Sequence, residues 1–563
     1  MSVANAFREA RCGALNPMPE TAAFRRSPAE VMRLSRLGSF HRTRLSFLDT
    51  LVRRAAKERW TFERALWQMA DDGVGRAVYT VDTGPRRYSL VAFAHALPDD
   101  QRSDRVIATR WDATFALFDG VPTTADLTRL EGSVPLQEAG RVTAVELCLS
   151  RANRSVRLFE HVVEALAAGR QPDLERVAET GYLMRTTAVY GSGKFGAADR
   201  DVIAARPELK GPFQAEMLTV WLIRVFTVDL VECLAAARGG STAARLTPAL
   251  RTHLGVGNAT GLGMAPFLVR HPVLINNWMM AREEALARVR GLPTAADGSL
   301  EGIATALLAA RRNAAEWRSA HPVQQAKLAD LGRDLVALDD WLAEGLRARF
   351  PFDALWRRAA ALSEEGQEAL VSILLEPHGE LVDGLSDCMD ADEGSAFRID
   401  GTMKLAVLRR ILSKQYHFAL TLDYEAPENV ARFWYTSEEK LEPRLGERFG
   451  EPGEAYEEPL GVGRDVAGLF AALNDWPLDG HTAAFLARHP EHRHTVRRVQ
   501  TAARFPFSEI RDNLIGSRMM PIDLLRCKLS FFGATQFDPR SDRWVRVTLF
   551  RDAPQPDDIL APA

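Results

Sequence analysis

Cysteine is scarce in this chain, and the few cysteines present form no recognisable pattern. The 563 residues contain five of them, widely separated, and no Cys-x-x-Cys pair occurs. Secreted disulfide scaffolds and zinc ribbons both need closely spaced or paired cysteines. We therefore predict a reduced protein without disulfides or a zinc ribbon. Cys148 and Cys233 lie within apolar runs, which favours a place in the core.

Long hydrophobic runs are also missing. The most apolar segment runs from Met217 to Phe226, and it is interrupted by Arg224 and followed by Asp229 and Glu232. A membrane-spanning helix needs about 20 consecutive apolar residues. The first residues of the chain are charged and lack the apolar run of a secretory signal. We therefore expect a cytoplasmic protein that makes no membrane contact.

Neither net charge nor histidine spacing indicates nucleic-acid or metal binding. The net charge of −3 provides no general attraction to nucleic acid. Residues 488–504 form a basic patch with three histidines, but a Glu-x-x-His pair occurs there in a single copy, Glu491 with His494. A dinuclear centre of the bundle type needs two such pairs. We therefore predict no transition metal and do not favour nucleic acid as a partner.

Secondary-structure signals predict an α+β fold in which helix predominates. Two β-rich runs flank the turn residues Asp82 to Pro85 and predict a hairpin. Residues from about 122 to 390 have the pattern of one helix after another. The predicted fold class is a central helical body with antiparallel strands from the N-terminal region, at about 75–120, and from the C-terminal region, at about 526–550.

Composition shifts along the chain predict four domains, because 563 residues exceed the usual size of one hydrophobic core. Residues 1–121 hold an N-terminal helix and an antiparallel meander. A helical domain with glycine-rich loops follows at 122–290, then a second helical domain at 291–400. An α+β domain completes the chain at 401–563. The many apolar helices are compatible with a homodimer.

A glycine-rich segment at residues 191–196 is the first candidate binding site. It does not match the Walker A loop, because Ala188 stands in place of the first glycine and Phe195 in place of Ser or Thr. Its Gly-x-Gly-x-x-Gly spacing satisfies the dinucleotide fingerprint, but the residues that follow lack the expected second strand. No cofactor is assigned. What remains is an anion cradle with Ser192 and Lys194 as ligand contacts, or a tight turn.

A second glycine-rich segment, Gly255 to Gly263, includes Asn258 and Thr260 and precedes an expected helix start. Amides at a helix N-terminus favour an anion. We expect this segment to face residues 191–196 across one pocket, with Arg224 as an additional cation. The alternatives are a tightly packed connector between helices for the glycines and a surface position for the Arg224 guanidinium.

The third candidate segment, residues 432–448, is the richest in reactive side chains. Tyr435 and Lys440 can act as acid or base when their pKa values are shifted, and Arg444 can bind a carboxylate or phosphate with two hydrogen bonds. A run of Glu, Lys and Arg is also typical of a solvated surface.

These segments predict an enzyme that acts on a small carboxylate- or phosphate-bearing metabolite. The expected mechanism is metal-independent acid/base chemistry of the lyase or transferase type. The alternative is a non-catalytic helical scaffold or regulatory interaction protein. Convergence of the three segments on one pocket would favour the enzyme.

Overall fold

The computed structural model contains two compact units. Unit 1 comprises residues 1–41, 261–311 and 326–528, and unit 2 comprises residues 42–260, 312–325 and 529–563. The described residues are 21–102, 110–133, 143–190, 203, 205–261, 268, 271–319, 322–345, 348–389, 398–426, 433–436, 443–446, 462–511, 521–539 and 544–560. The division into four domains remains a prediction.

The helices are numbered along the chain. They are α1 (Pro28–Val31), α2 (Leu34–Leu37), α3 (Phe47–Lys57), α4 (Thr124–Ser133), α5 (Phe159–Ala167), α6 (Leu174–Thr180), α7 (Gln214–Gly239), α8 (Pro248–His253), α9 (Pro272–Arg290), α10 (Asp297–Glu316), α11 (Pro322–Ala343), α12 (Pro351–Arg358), α13 (Glu364–Leu375), α14 (Gly379–Val382), α15 (Leu405–Gln415), α16 (His417–Leu420), α17 (Val462–Ala472), α18 (Thr482–Arg488), α19 (Arg493–Arg504) and α20 (Pro521–Phe532).

The strands form one large sheet and one small hairpin. They are β1 (Thr61–Met69), β2 (Gly75–Asp82), β3 (Arg87–Ala94), β4 (Ala113–Asp119), β5 (Glu146–Arg154), β6 (Tyr182–Tyr190), β7 (Gly255–Gly261), β8 (Phe433–Thr436), β9 (Pro443–Gly446), β10 (Thr535–Pro539) and β11 (Trp544–Leu549). The nine-stranded sheet has the order β1-β2-β3-β4-β5-β6-β7-β11-β10, and β8 pairs with β9.

Local turn chemistry builds the first part of the nine-stranded sheet. Strands β1 to β6 pair antiparallel in sequence order. The turn between β2 and β3 is closed by Asp82, whose Oδ1 accepts a hydrogen bond from the Gly84 amide at 2.8 Å. Gly84 has a φ of +87°, which favours glycine. Strand β7 then joins β6 in parallel, across a connection that contains α7.

Helix α7 is the central helix of unit 2 and packs against strands β3 to β6 and against α5. Most of its side chains are buried, so its sequence is apolar on nearly all sides. Phe226 contacts the Phe115 ring of β4 at a centroid distance of 5.4 Å, and Trp221 contacts Phe62 of β1 at 5.4 Å. These aromatic contacts hold α7 against the sheet and fix which of its polar residues face a cavity.

Unit 1 is helical apart from β8 and β9 in its described part. Helices α15 to α19 share a core that includes Leu408, Tyr416, Val466 and Phe485, all fully buried. Such a core stabilises a small helical bundle because each helix buries one apolar face.

A group of buried charges, which we call the Arg26 cluster, lies elsewhere in unit 1 and consists of Arg26, Arg282, Glu283 and Glu368. The Arg26 guanidinium donates two hydrogen bonds of 2.8 Å to Glu283 and one of 2.7 Å to Glu368. Arg282 donates to the second Glu368 oxygen at 2.9 Å. Burial alone would raise the pKa of Glu368, but the charges of Arg26 and Arg282 outweigh it and lower that pKa to about 2.

The predicted fold class is wrong in where it places the strands. They do not flank a central helical body, because β5, β6 and β7 arise within the region expected to be helix after helix. Residues of β5 are buried along almost the whole strand, so the strand lacks the alternation that would separate it from a buried helix. For the same reason Cys527 to Phe532, expected as a strand, belongs to helix α20.

Among the described residues, we find no helix that combines the length and the apolar composition needed to cross a membrane.

Candidate functional site

A cavity of about 580 Å³ lies in unit 2 beside the edge strand β1. This volume is typical of sites for small molecules. One wall comes from β1 and β2, the second from α7, and the third from the segment before α8, from Arg251 of α8 and from residues 555–557. The side chains that give it chemical character are Phe62, Glu63, Arg64, Trp67, Tyr79, Asp229, Glu232, Cys233, Arg245, Arg251 and Asp557.

Asp229 of α7 is held by one of its two carboxylate oxygens. The Tyr79 hydroxyl donates to Oδ2 at 2.7 Å, and the Arg64 guanidinium donates to the same atom at 3.1 Å. Within the described part of the chain, Oδ1 accepts no hydrogen bond. Burial, followed by the charge of Asp229, raises the pKa of Tyr79 well above its usual value. Tyr79 therefore keeps its proton and orients Asp229, leaving Oδ1 available to a ligand.

Glu232, one helical turn after Asp229, has both carboxylate oxygens engaged. Arg251 donates to Oε1 and Oε2 at 2.6 Å each, and the backbone amide of Leu246 donates to Oε1 at 3.0 Å. Arg245 lies 4.0 Å from the same carboxylate. These bonds attach the segment before α8 to α7, so Glu232 shapes the cavity wall rather than offering a reactive group.

Asp557 lies in a 3₁₀ helix, Pro556–Leu560, that contributes to the third wall. Partial burial raises the pKa of its carboxyl group, and the negative charges of Asp558 and Asp229 raise it further. The Pro554 carbonyl accepts hydrogen bonds from Trp221 at 3.0 Å and from Arg224 at 3.2 Å, which holds this segment against α7.

Arg224 was predicted to contact an anion or to reach the surface, and the structure places it in the interior with 1% of its surface exposed. Its guanidinium donates to backbone carbonyls of Leu254 at 2.6 Å, Thr252 at 2.5 Å and Arg251 at 3.0 Å, as well as to Pro554. Burial lowers its pKa to about 10. Carbonyl oxygens thus satisfy this charge, and Arg224 does not line the cavity.

In its described part the second glycine-rich segment is not a connector between helices, since Gly255–Gly261 is strand β7. The helix start expected after this segment begins outside the described residues. A Cβ on Gly257 would lie 2.6 Å from the Tyr182 ring, and one on Gly255 would lie 2.4 Å from the Leu549 carbonyl oxygen. These glycines allow neighbouring strands to approach closely, and their φ angles are not positive. The buried Asn258 amide donates to Thr186 Oγ1 of β6 at 3.0 Å.

The remaining predicted site residues are only partly described. Tyr435 and Arg444 are Cα partners in the β8–β9 pair, so the fold brings these two positions together. Thr260 is in β7. Ser192, Lys194 and Lys440 lie outside the described residues, as does the rest of the 191–196 segment. Their proposed roles remain predictions.

The histidine region forms contacts within the protein. His489 Nε2 accepts a hydrogen bond from Trp476 at 3.1 Å, and its Nδ1 lies 3.0 Å from Glu491. The His489 ring stacks on Phe485 at 4.9 Å. Across the described ranges, no group of three or more His, Cys, Asp or Glu side chains is placed to hold a metal ion.

Sequence reasoning missed the residues that the cavity brings together. Asp229 and Glu232 were noted only as charged residues that follow an apolar segment, although two acids one turn apart on an otherwise buried helix need a polar environment. That was the available signal. Tyr79 is 150 residues from Asp229 in the chain, and no local pattern joins the two. Cys233, expected in the core, is half-buried and lines the cavity.

No family model matches this chain, and comparison with curated proteins and with solved structures found no match.

Proposed function

We propose that this chain is a cytoplasmic enzyme that performs acid/base chemistry on a small polar metabolite bound in the cavity of unit 2. The observation that carries the proposal is the fixed Asp229 carboxylate, whose Oδ2 is held at 2.7 Å by Tyr79 while Oδ1 accepts no hydrogen bond from any described residue. A group positioned in this way can accept a proton from a bound substrate.

Asp557 supplies the complementary role of proton donor. Its raised pKa keeps the carboxyl group protonated to higher pH than an ordinary aspartate. Two carboxyl groups in one site whose environments differ can divide the work of base and acid. In the scheme, Asp229 takes a proton from the substrate and Asp557 gives one to a departing oxygen, so the site changes protonation but not net charge. This is chemistry of the lyase or transferase type.

The proposal requires no metal, and nucleic acid has no role in it. A homodimer remains compatible with it. The anionic substrate predicted from the glycine-rich segments depends mainly on residues outside the described part of the chain. The residues that line the described cavity support it as the binding site, but they do not support an anionic substrate.

The experiment is a metabolite screen with the full chain. Native mass spectrometry identifies bound compounds, and timed incubation then detects their conversion. Asp229→Asn should reduce turnover by about 10²–10⁴-fold, the usual contribution of a positioned base. Asp71→Asn is the matched control, because Asp71 is exposed in the β1–β2 turn of the same unit. It should convert the metabolite like wild type.

Equal turnover by wild type and Asp229→Asn would overturn the proposal, as would the failure of any bound metabolite to be converted. The second result would favour the scaffold alternative. A further check is the pH profile of kcat/KM. Because Asp557 must carry its proton, kcat/KM should fall as pH rises through the raised pKa of Asp557. In the Asp557→Asn variant this decrease with rising pH should be absent.

A further inference from the structure

The acidic side chains that line the cavity outnumber the basic ones. Its walls carry four carboxyl groups, Glu63, Asp229, Glu232 and Asp557, and three guanidiniums, Arg64, Arg245 and Arg251. One negative charge is in excess when all are ionised, and the charges balance when Asp557 carries the proton that the proposed function requires. Asp558, next to Asp557 in the chain, adds to the negative potential, as its effect on the pKa of Asp557 shows.

Each lining guanidinium already lies beside a lining carboxylate. Arg64 is 3.1 Å from Asp229, and Arg251 is 2.6 Å from Glu232. Arg245, the most exposed of the three, is 4.0 Å from Glu232. An anion entering the cavity would have to compete with these carboxylates for the arginines, and it would be repelled by the acids that remain.

Three of the four acidic side chains, by contrast, have carboxylate oxygens that accept no hydrogen bond from the described residues. Neither the Glu63 nor the Asp557 side chain makes a hydrogen bond or ion pair with any residue that the structure describes, and Asp229 Oδ1 is equally open. A cation that donates hydrogen bonds to these oxygens would satisfy them, and charge-assisted hydrogen bonds are stronger than neutral ones.

The aromatic side chains of the cavity favour the same charge. Phe62, Trp67 and Tyr79 line one wall. The Arg64 guanidinium already lies over the Trp67 ring, 5.1 Å from its centroid. Aromatic faces attract cations through the ring quadrupole, and the attraction grows when water is excluded.

We infer that the ligand of this cavity is a small organic cation with a primary amine or guanidinium group. The cationic group contacts Asp229 Oδ1, Glu63 and Asp557, and the carbon chain contacts the aromatic wall. The inference rests on the proposed function for the choice of cavity and adds the chemical class of the substrate. It replaces, for this cavity, the anionic metabolite expected from the sequence.

The test uses three four-carbon probes that differ in charge: 1,4-diaminobutane, 1,4-butanediol and succinate. Isothermal titration calorimetry with the full chain at low ionic strength and neutral pH should show binding of the diamine at one site. The diol should bind at least about tenfold more weakly, since it makes no ion pair. Added sodium chloride should weaken the binding of the diamine, because salt screens partly exposed charges.

Glu63→Gln should raise the Kd of the diamine by about two- to fivefold, the effect of removing one exposed ion-pair partner. Glu179→Gln is the control, because Glu179 is an exposed glutamate of α6 in the same unit and does not line the cavity. It should bind the diamine like wild type. Tighter binding of succinate than of the diamine would overturn the inference, and so would diamine binding that Glu63→Gln leaves unchanged.

These outcomes are separable from failure of the proposed function. If an anionic or neutral metabolite is converted in a manner that depends on Asp229, the enzyme proposal stands and the cation inference fails. If amines bind with dependence on Glu63 but no bound compound is ever converted, the inference about charge stands and the enzyme proposal fails.

Discussion

The Arg26 cluster of unit 1 and the cavity of unit 2 are both built from carboxylates and guanidiniums, but they differ in how many carboxylate oxygens are satisfied. In the Arg26 cluster all four oxygens of Glu283 and Glu368 accept hydrogen bonds from arginine, and the side chains are almost fully buried. In the cavity, Asp229 Oδ1 and the carboxylates of Glu63 and Asp557 receive none from the described residues.

That difference separates a structural group of charges from a candidate site. Buried charges without partners are costly, so a closed cluster must satisfy every oxygen within the fold. An open cavity can leave oxygens to water and, later, to a ligand. Residue types alone do not distinguish the two cases, because both contain the same side chains. Perturbing one member of each group should therefore give opposite results for stability and activity.

The largest stability effect is expected in the Arg26 cluster. Glu368→Gln leaves Arg26 and Arg282 buried with one carboxylate fewer, and removing one partner of a buried ion pair costs about 3–5 kcal/mol. Urea denaturation followed by circular dichroism measures the free energy of unfolding. Glu364→Gln on the same helix is the control, because its side chain is 33% exposed and its ion pairs are long. If both variants lose less than about 1 kcal/mol of unfolding free energy, the buried Arg26 cluster would be no more important for stability than a partly exposed ion pair.

The same residue should make stability depend on acid pH. The folded state lowers the pKa of Glu368 from 4.5 to about 2. A lowered folded-state pKa stabilises the protein above the unfolded value, and this contribution is lost as pH falls from about 4.5 towards 2. The difference in unfolding free energy between wild type and Glu368→Gln should therefore shrink across that range. A constant difference would show that the carboxylate charge does not matter.

Arg224 should act as a structural residue. Arg224→Met keeps much of the side-chain volume but leaves the carbonyls of Leu254, Thr252 and Pro554 without this donor. Buried acceptors that lose their partner cost about 1–3 kcal/mol. The loss should appear in thermal denaturation in the absence of any ligand. A variant as stable as wild type that fails to bind an anion would restore the binding role predicted from the sequence.

Two glycines provide a matched comparison of packing. Gly257→Ala places a Cβ against the Tyr182 ring of a buried strand pair, and overpacking costs about 1–3 kcal/mol. Gly332→Ala changes an exposed position of α11 with no atom within 4 Å of the new Cβ. There alanine should stabilise by about 0.5–1 kcal/mol, because glycine is a poor helix former. Equal effects at both sites would argue against close approach at β7.

The smallest stability effect is expected in the cavity. The Arg64 side chain is 49% exposed, so solvent weakens its ion pair with Asp229. Asp229→Asn should therefore change the free energy of unfolding by less than about 1 kcal/mol, while turnover of a bound metabolite falls steeply. A large loss of stability in this variant would place Asp229 with the Arg26 cluster, as a structural residue.

Local signals in the sequence account for the features that it predicts well. The turn at Asp82 to Pro85 is present between β2 and β3, because an aspartate that bonds the amide two residues on and a glycine with positive φ define that turn by themselves. Helix α7 has 26 residues, a length beyond the usual range of a strand. Neither feature depends on residues far away in the chain.

The errors in assigning strand or helix to β5 and α20 have one physical cause, which is burial on all sides of the element. Strand β5 and the described side chains of helix α20 are buried almost throughout, so neither element has a solvent-facing side whose spacing would distinguish strand from helix. The glycines of β7 were interpreted as a ligand loop because glycine density has the same appearance whether a phosphate or a neighbouring strand approaches the backbone. The contacts of Gly255 and Gly257 assign them to strand packing.

The sequence by itself determined the local turns, the helical character of the segment that forms α7 and the absence of closely paired cysteines. The tertiary structure decided which polar residues share a site. Tyr79 and Asp229 meet through a 2.7 Å hydrogen bond across 150 residues of chain, and Asp557 approaches them because the chain end packs against α7. Secondary-structure patterns repeat over a few residues, whereas contacts between side chains on separate elements depend on how those elements pack. The cavity is a product of that packing.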